Sequence, residues 1–212
     1  MWRPRLPTRH GDSHLAAADL KLPLSGYSTI KVIRDYLYQI FSNENTIMQI
    51  VPRYTLCFLM YEDQVLMLLR SKPPNQGLWN GVGGHIEAGE TPLNSCLREV
   101  TEETGINLET AFFNGILTWD GFEIPPGGLF IFSAFISQRK TIDCNEGILT
   151  WQHQKWACSA SEVVNNLHIV LPHVFQQAPP QAYHFIYQNN VIADYQINPL
   201  PENIKINSPW FG

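Results

Sequence analysis

From residue 54 onward, short apolar runs alternate with polar breaks. Residues 54–60 and 65–70 are two such runs, split by Glu62-Asp63-Gln64. Apolar stretches of this length bounded by turn residues predict buried strands joined as a hairpin. The following SKPPNQG at 71–77 predicts a loop, because Pro-Pro and Gly permit no regular element there. At 91–104 the period changes: Leu93, Leu97, Val100 and Thr104 recur at helical spacing, with Thr91-Pro92 at the start and Gly105 at the end. Proline in the first turn and glycine just past the last are helix boundary signals. Strands are expected at 111–119 and 129–137 around a Pro/Gly-rich loop at 120–128, and a short one at 148–151. A helix is expected at 159–166, and a closing pair of strands at 183–187 and 191–197 across Gln188-Asn189-Asn190. Strands interleaved with helices predict an α/β class with a mixed sheet, as α/β/α or α+β layers.

The first 47 residues follow another pattern. Residues 1–26 mix Pro, Arg, His, Asp and Gly without a period and are expected to be poorly ordered. Ile30, Ile33, Leu37, Ile40 and Phe41 then predict an amphipathic helix over about 28–42. A domain division follows, with an extension at 1–47 and a compact domain at 48–212, Met48 standing just before the first clear strand. Arg3, Arg5 and Arg9 hint at targeting, but Asp12 and Asp19 count against a transit peptide.

Charge sharpens this division. The chain carries 14 Lys+Arg against 19 Asp+Glu, a net charge of -5, with residues 1–47 at +2 and the remainder at -7. A broad basic footprint for a nucleic-acid polymer is therefore missing. No apolar run reaches the roughly 18 to 20 residues of a membrane-spanning helix. Cys57, Cys96, Cys144 and Cys158 form no CxxC pair and are too sparse for a disulfide framework. Reduced thiols and a soluble cytoplasmic protein are the expectation.

The acidity is concentrated on the predicted helix at 91–104. Glu99, Glu102 and Glu103 stand at i, i+3 and i+4, on the face expected to lie opposite Leu93, Leu97 and Val100. Like charges at this spacing cost a few tenths of a kcal/mol per pair, and acids in a last helical turn cost roughly 0.3 to 1 kcal/mol each against the macrodipole. A solvated acidic face would tolerate this; a hard divalent cation bound to the carboxylates would explain it, and no His/Cys set suggests zinc. Just upstream, Gly81, Gly83, Gly84 and Gly89 supply backbone that can approach a ligand closely.

The segment 84–106, GHIEAGETPLNSCLREVTEETGI, resembles the Nudix box, meeting its fixed positions at Gly84, Glu90, Arg98, Glu99, Val100, Glu102, Glu103, Gly105 and Ile106. The resemblance implies a Nudix hydrolase: an α/β/α sandwich around a mixed β-sheet that cleaves a diphosphate linked to another moiety, with Mg²⁺ or Mn²⁺. By position it implies Glu99 and Glu103 as metal ligands, Glu102 as a further ligand or water-activating base, and the Gly84 carbonyl as completing the shell. Arg98 would orient a carboxylate, and Glu90 and Gly105 would shape the motif. Trp79-Asn80-Gly81 followed by Gly83-Gly84 looks like the entry of the MutT-type and oxidised-purine nucleoside triphosphatases. It implies a base contact for Asn80, and the spacing of Glu146 from Trp151 implies an acid beside the metals. Arg70, at a strand end, is a candidate phosphate contact or a solvated arginine.

The implied reaction releases a nucleoside monophosphate and pyrophosphate from a nucleoside triphosphate, with 8-oxo-dGTP among the candidates. One departure stands out: vertebrate oxidised-purine enzymes carry a Trp and paired aspartates before the last helix, and 163–168 here (VVNNLH) has neither. His168 and His173 read as structural. A ligand-sensing Nudix domain, a prenyl diphosphate isomerase, and hydrolases of nucleotide sugars or dinucleotide polyphosphates stay open, as does the oligomeric state.

Overall fold

The computed structural model describes residues 52–139 and 141–200. The expected helix at 28–42 and irregular stretch at 1–26 lie outside the described residues. In chain order the elements are β1 (Pro52–Tyr61), β2 (Gln64–Arg70), β3 (Trp79–Asn80), α1 (Pro92–Thr104), β4 (Phe112–Asp120), β5 (Gly127–Phe135), β6 (Gly147–His153), α2 (Gln154–Ala157), α3 (Leu167–Phe175), β7 (Gln181–Gln188) and β8 (Val191–Pro199). The strands form one sheet in the order β3-β2-β1-β5-β4-β7-β8, with β6 paired to β2. It is mixed: β1 runs parallel to β5 and β4 parallel to β7, while the other pairs are antiparallel.

Alternation along the strands builds a core on each face. Cys57, Leu59, Leu66, Leu68, Phe130 and Phe132 pack on one side with Cys96 and Val100 of α1. Leu56, Phe58, Val65, Met67, Leu117 and Ile131 pack on the other with Val170, Leu171 and Val174 of α3. Helices on both faces make an α/β/α sandwich. The four cysteines are free, Cys57 and Cys96 being buried.

The β1–β2 connection is a hairpin in its first step only, pairing Met60 with Val65 and Tyr61 with Gln64. Beyond that the strands part. β2 pairs along its length with β6, from Gln64↔His153 to Arg70↔Gly147, and β1 pairs with β5. Residues 79–86 enter the gap: Trp79 and Asn80 pair with β2, and Val82 and His85 bridge to Cys57 and Tyr54 of β1. Thr55 N–H donates to Gly84 O at 2.8 Å and Cys57 N–H to Val82 O at 2.7 Å. The approach is too close for side chains, since a Cβ on Gly83, at φ +147°, would lie 2.2 Å from Thr55 O.

The helix expected at 159–166 is not there. That stretch is turns, and the helix is α3 at Leu167–Phe175, after the four-residue α2. Ser161, Asn165 and Asn166 favour local side-chain and turn conformations over helix interior. α3 escapes pattern reading because it is apolar nearly all round and contains Pro172. With Leu171 fully buried, Leu171→Ala is expected to cost about 2–5 kcal/mol by urea denaturation. A loss near zero would mean that α3 is not part of the core.

Candidate active site

Helix α1 is fixed at both ends. Thr91 Oγ1 accepts from Asn94 N–H at 3.0 Å, and Pro92 begins the first turn. Gly105 ends the helix in the left-handed region at φ 71°, its N–H donating to Thr101 O at 2.9 Å. The three glutamates share the side of α1 that lines the cleft, but Glu103 does not lie opposite the apolar stripe as expected. At about 100° per residue, Glu103 falls on the buried stripe with Cys96 and Val100, and it is only 6% exposed. Side-chain exposure is 15% for Glu99 and 58% for Glu102.

Arg98 organises the acids. Its Nε donates to Glu90 Oε1 at 2.7 Å and Nη2 to Glu90 Oε2 at 2.9 Å, a bidentate pair. Nη1 donates to Glu99 Oε1 at 2.9 Å and to Glu102 Oε2 at 3.3 Å, and Nη2 to His85 O at 2.9 Å. Glu90 also accepts from Glu87 N–H at 2.9 Å, which closes the loop ahead of α1. The Arg98 bonds hold the Glu90 carboxyl below its usual range, while Glu90 and Glu99 raise the guanidinium pKa further.

Glu103 accepts from Gly83 N–H at 2.9 Å. Burial is the main cause that pushes its carboxyl up to about 7, with Glu99 and Glu146 adding repulsion and Gly83 and Arg70 opposing it. Burial also raises Glu99, against the pull of Arg98. The glycine before the box carries a steric requirement: a Cβ on Gly84 would sit 2.4 Å from Glu99 Oε1. The Gly84 carbonyl, bonded to Thr55 N–H, keeps its second lone pair.

Glu99, Glu102, Glu103, Gly84, Arg70, Asn80 and Glu146 all line one cleft of about 730 Å³. Glu146 is held by its backbone, whose carbonyl accepts from Ser71 N–H and Oγ at 2.8 and 2.9 Å, and by a 2.8 Å ion pair with Lys72. Arg70 Nε donates to Pro74 O at 2.8 Å, and Asn80 Oδ1 accepts from Gly81 N–H at 2.9 Å. His168 and His173 are outside the cleft lining and bond to Ala160 O and Tyr183 Oη.

The donors fit a hard divalent cation. They are oxygens, crowded and short of counter-charge, beside a backbone cradle that a side chain would fill. Thr55 also lines the cleft, and its Oγ1 is buried without a hydrogen-bond partner. Among the described residues no three His, Cys, Asp or Glu side chains are gathered as a ready metal site. Arg98 engages one oxygen each of Glu99 and Glu102, and Gly83 one of Glu103.

Sequence reading missed the other end of the cleft, walled by Tyr54, Trp119, Phe122, Ile124, Val164 and Tyr187. Its rings form a path: Tyr54 lies 4.1 Å from His85 and 6.1 Å from Trp119, and Phe122 lies 4.8 Å from Tyr187, between centroids. These residues come from β1, β4, the β4–β5 connection, the turn before α3, and β7. No local motif links them.

A mixed sheet between helices, split by a glycine segment that meets a glutamate cluster, is the arrangement expected from the resemblance to the Nudix box. Residues 51–185 match the model of the NUDIX domain, and the chain belongs to that family. It is similar to the Bacillus subtilis protein named "Uncharacterized Nudix hydrolase YvcI", 33% identical over 110 residues, 49% of this chain and 67% of that one. It is also similar to the mouse oxidized purine nucleoside triphosphate hydrolase, 31% identical over 67 residues, 32% of this chain and 43% of that one. A crystal structure of a MutT protein from Bacillus halodurans matches with a TM-score of 0.61 at 28% identity, over 71% of this chain and 100% of that chain. The class is that of a Nudix pyrophosphohydrolase.

The raised Glu103 pKa gives a pH signature of the metal-free fold. The folded state holds the Glu103 proton more tightly than the unfolded chain does. The stabilisation from that proton is complete below the usual carboxylate range and is lost as pH rises toward about 7. In chelator, wild type should therefore lose stability relative to Glu103→Gln across this window. Denaturant titrations of both proteins measure it, and parallel pH curves would contradict the assignment. His184, whose pKa burial lowers, contributes the opposite slope in both proteins and cancels.

Proposed function

We propose that the protein is a divalent-cation-dependent hydrolase of a nucleoside triphosphate or related nucleoside diphosphate derivative, releasing the nucleoside monophosphate and, from a triphosphate, pyrophosphate. The observation that carries this reading is the two-sided cleft: carboxylates from α1 and Glu146 at one end, and an aromatic, apolar chamber at the other. A polyphosphate needs cations to approach glutamates, and a planar heterocycle needs apolar walls. One cleft offers both.

Glu99 and Glu103 would hold Mg²⁺ or Mn²⁺, with Gly84 O and Glu146 as further ligands. When bound, the cation neutralises phosphate oxygens and lowers the pKa of an attacking water. Glu102, the most exposed of the three, serves as a further ligand or takes the water's proton. Arg98 is a positioning residue, since its bonds set the orientation of Glu99 and Glu102 while Glu90 anchors it. Arg70 approaches the phosphates, and the Asn80 amide, with Oδ1 committed to Gly81, offers Nδ2 to the base. Among the described residues no helix is long and apolar enough to cross a membrane; a reducing, cytoplasmic setting fits the four free thiols.

The test is a panel of canonical and 8-oxo nucleoside triphosphates, nucleotide sugars and dinucleotide polyphosphates, with Mg²⁺, Mn²⁺ or chelator. Glu99→Gln and Glu103→Gln should each lower kcat by on the order of 10³ or more, because charge stabilisation at the transition state is lost. Both should remain folded. Near-normal turnover would remove them from the site, and no turnover of any substrate by wild type would favour a ligand sensor.

The functional unit is proposed as residues 48–212, since the family match begins at residue 51 and the glycine-glutamate motif lies wholly beyond it. A protein starting at Met48 should be soluble and retain kcat. Its aggregation would place the preceding segment in the core.

A further inference from the structure

Three cations act on the acids of the cleft, and they are held in different ways. Arg98 is fixed by bonds to three carboxylates and to His85 O. Arg70 lowers the Glu103 pKa from the cleft wall, with its Nε committed to Pro74 O at 2.8 Å. Lys72 makes one contact, from Nζ to Glu146 Oε1 at 2.8 Å, and its side chain is 59% exposed. An ammonium on a single exposed bond exchanges partners easily, since such a pair adds little to stability. A guanidinium in a bidentate pair does not.

The loop that carries Lys72 does not depend on that bond. Ser71 holds Glu146 O with both its N–H and its Oγ, and Gly77 N–H donates to Arg70 O at 2.9 Å. Asn75 N–H donates to Glu123 Oε1 at 3.2 Å, which ties the loop to the β4–β5 connection. Backbone 70–77 is therefore anchored along its length, and only the Lys72 side chain needs to move. Glu146 is fixed in the same way, by its own carbonyl, on the wall of the cleft. It stands near enough to Glu103 to repel that carboxylate. What can change is the charge that the Glu146 carboxylate meets.

Resting on the proposed function, in which Glu146 is a further cation ligand, we infer that Lys72 is a displaceable counter-ion that reserves Glu146 until substrate arrives. A hard cation binds a carboxylate oxygen at about 2.0–2.6 Å, which brings it close to an ammonium 2.8 Å from the same carboxylate. Like charges so near repel, so Lys72 and the cation compete for Glu146. A phosphate chain entering the acidic end offers Lys72 anionic oxygens in exchange and frees Glu146 for the cation. Without substrate the cation rests on Glu99, Glu103 and the Gly84 carbonyl; with substrate Glu146 joins them. By linkage, nucleotide and cation tighten each other's binding. Lys72 acts on the cation through Glu146, as a positioning residue.

The experiment titrates Mn²⁺ into the full chain, reading the free ion by electron paramagnetic resonance, in wild type, Lys72→Gln, Glu146→Gln and the double variant. Each is measured with and without an α,β-methylene analogue of dATP, with the Mn²⁺ held by the free analogue subtracted. Without nucleotide, Lys72→Gln should tighten Mn²⁺ binding by about 1.5- to 5-fold, the range of an exposed ion pair. In the Glu146→Gln background the same substitution should have no effect. The enhancement of Mn²⁺ binding by the analogue should be largest in wild type and smaller in every variant. Unchanged or weaker Mn²⁺ binding in Lys72→Gln overturns the inference. So does a gain of equal size in both backgrounds, which marks a general loss of positive charge and not competition for Glu146. These outcomes leave the hydrolase reading intact, whereas absence of any nucleotide hydrolysis by wild type with Mg²⁺ or Mn²⁺ overturns the reading beneath it.

Discussion

The close contact between the backbone of residues 81–84 and strand β1 holds the site together. A Cβ at Gly81 would meet Cys57 O and the Phe58 ring at 2.9 Å, and one at Gly83 would meet Thr55 O at 2.2 Å. Without side chains at these positions, the segment pairs with β1 as a strand would and keeps β1 and β2 apart. It then presents Gly83 N–H to Glu103 and the bare Cα of Gly84 to Glu99. The opening of the sheet, the loop and the placing of α1 meet at one steric condition.

A second constraint is electrostatic. Glu90, Glu99 and Glu102 gather around a single guanidinium, and Arg98 spends its strongest geometry, the bidentate pair, on Glu90. That bond anchors the loop and leaves the acids nearer the cleft under-compensated. The deficit shows in Glu103, whose carboxyl is driven up toward neutrality by burial and by its acidic neighbours. A stability-optimised helix would not end this way. The arrangement is one that the cation of the proposed function would relieve.

The two ends of the cleft are built by different means. The acidic end is local in sequence: apart from Arg70, Asp143 and Glu146, its groups lie within the box. The aromatic end is assembled by the sheet, since β4 and β7 run parallel and in register from Gly115↔Gln181 to Asp120↔Ile186. That register brings the end of β7 beside the β4–β5 connection, where Phe122 meets Tyr187.

The sequence alone determined the strands with unbroken apolar runs, the caps of α1, and the acidic cluster, because each depends on neighbours within a few residues: Thr91 and Gly105 bound a helix wherever it packs. It misplaced α3, expecting a helix at 159–166, because an apolar stretch containing Pro172 hides the period of Leu167–Phe175. It put Glu103 opposite the apolar stripe with Glu99 and Glu102, where the structure buries it, because helical spacing says which residues are neighbours but not which side meets the sheet. Tertiary structure alone decided that β1 and β2 separate after one step, that Glu103 is buried against Gly83, and that Asn166 bonds Tyr187. Each of these rests on contacts between segments far apart in the chain, whose geometry is set by strand register and backbone approach, and no local pattern encodes that.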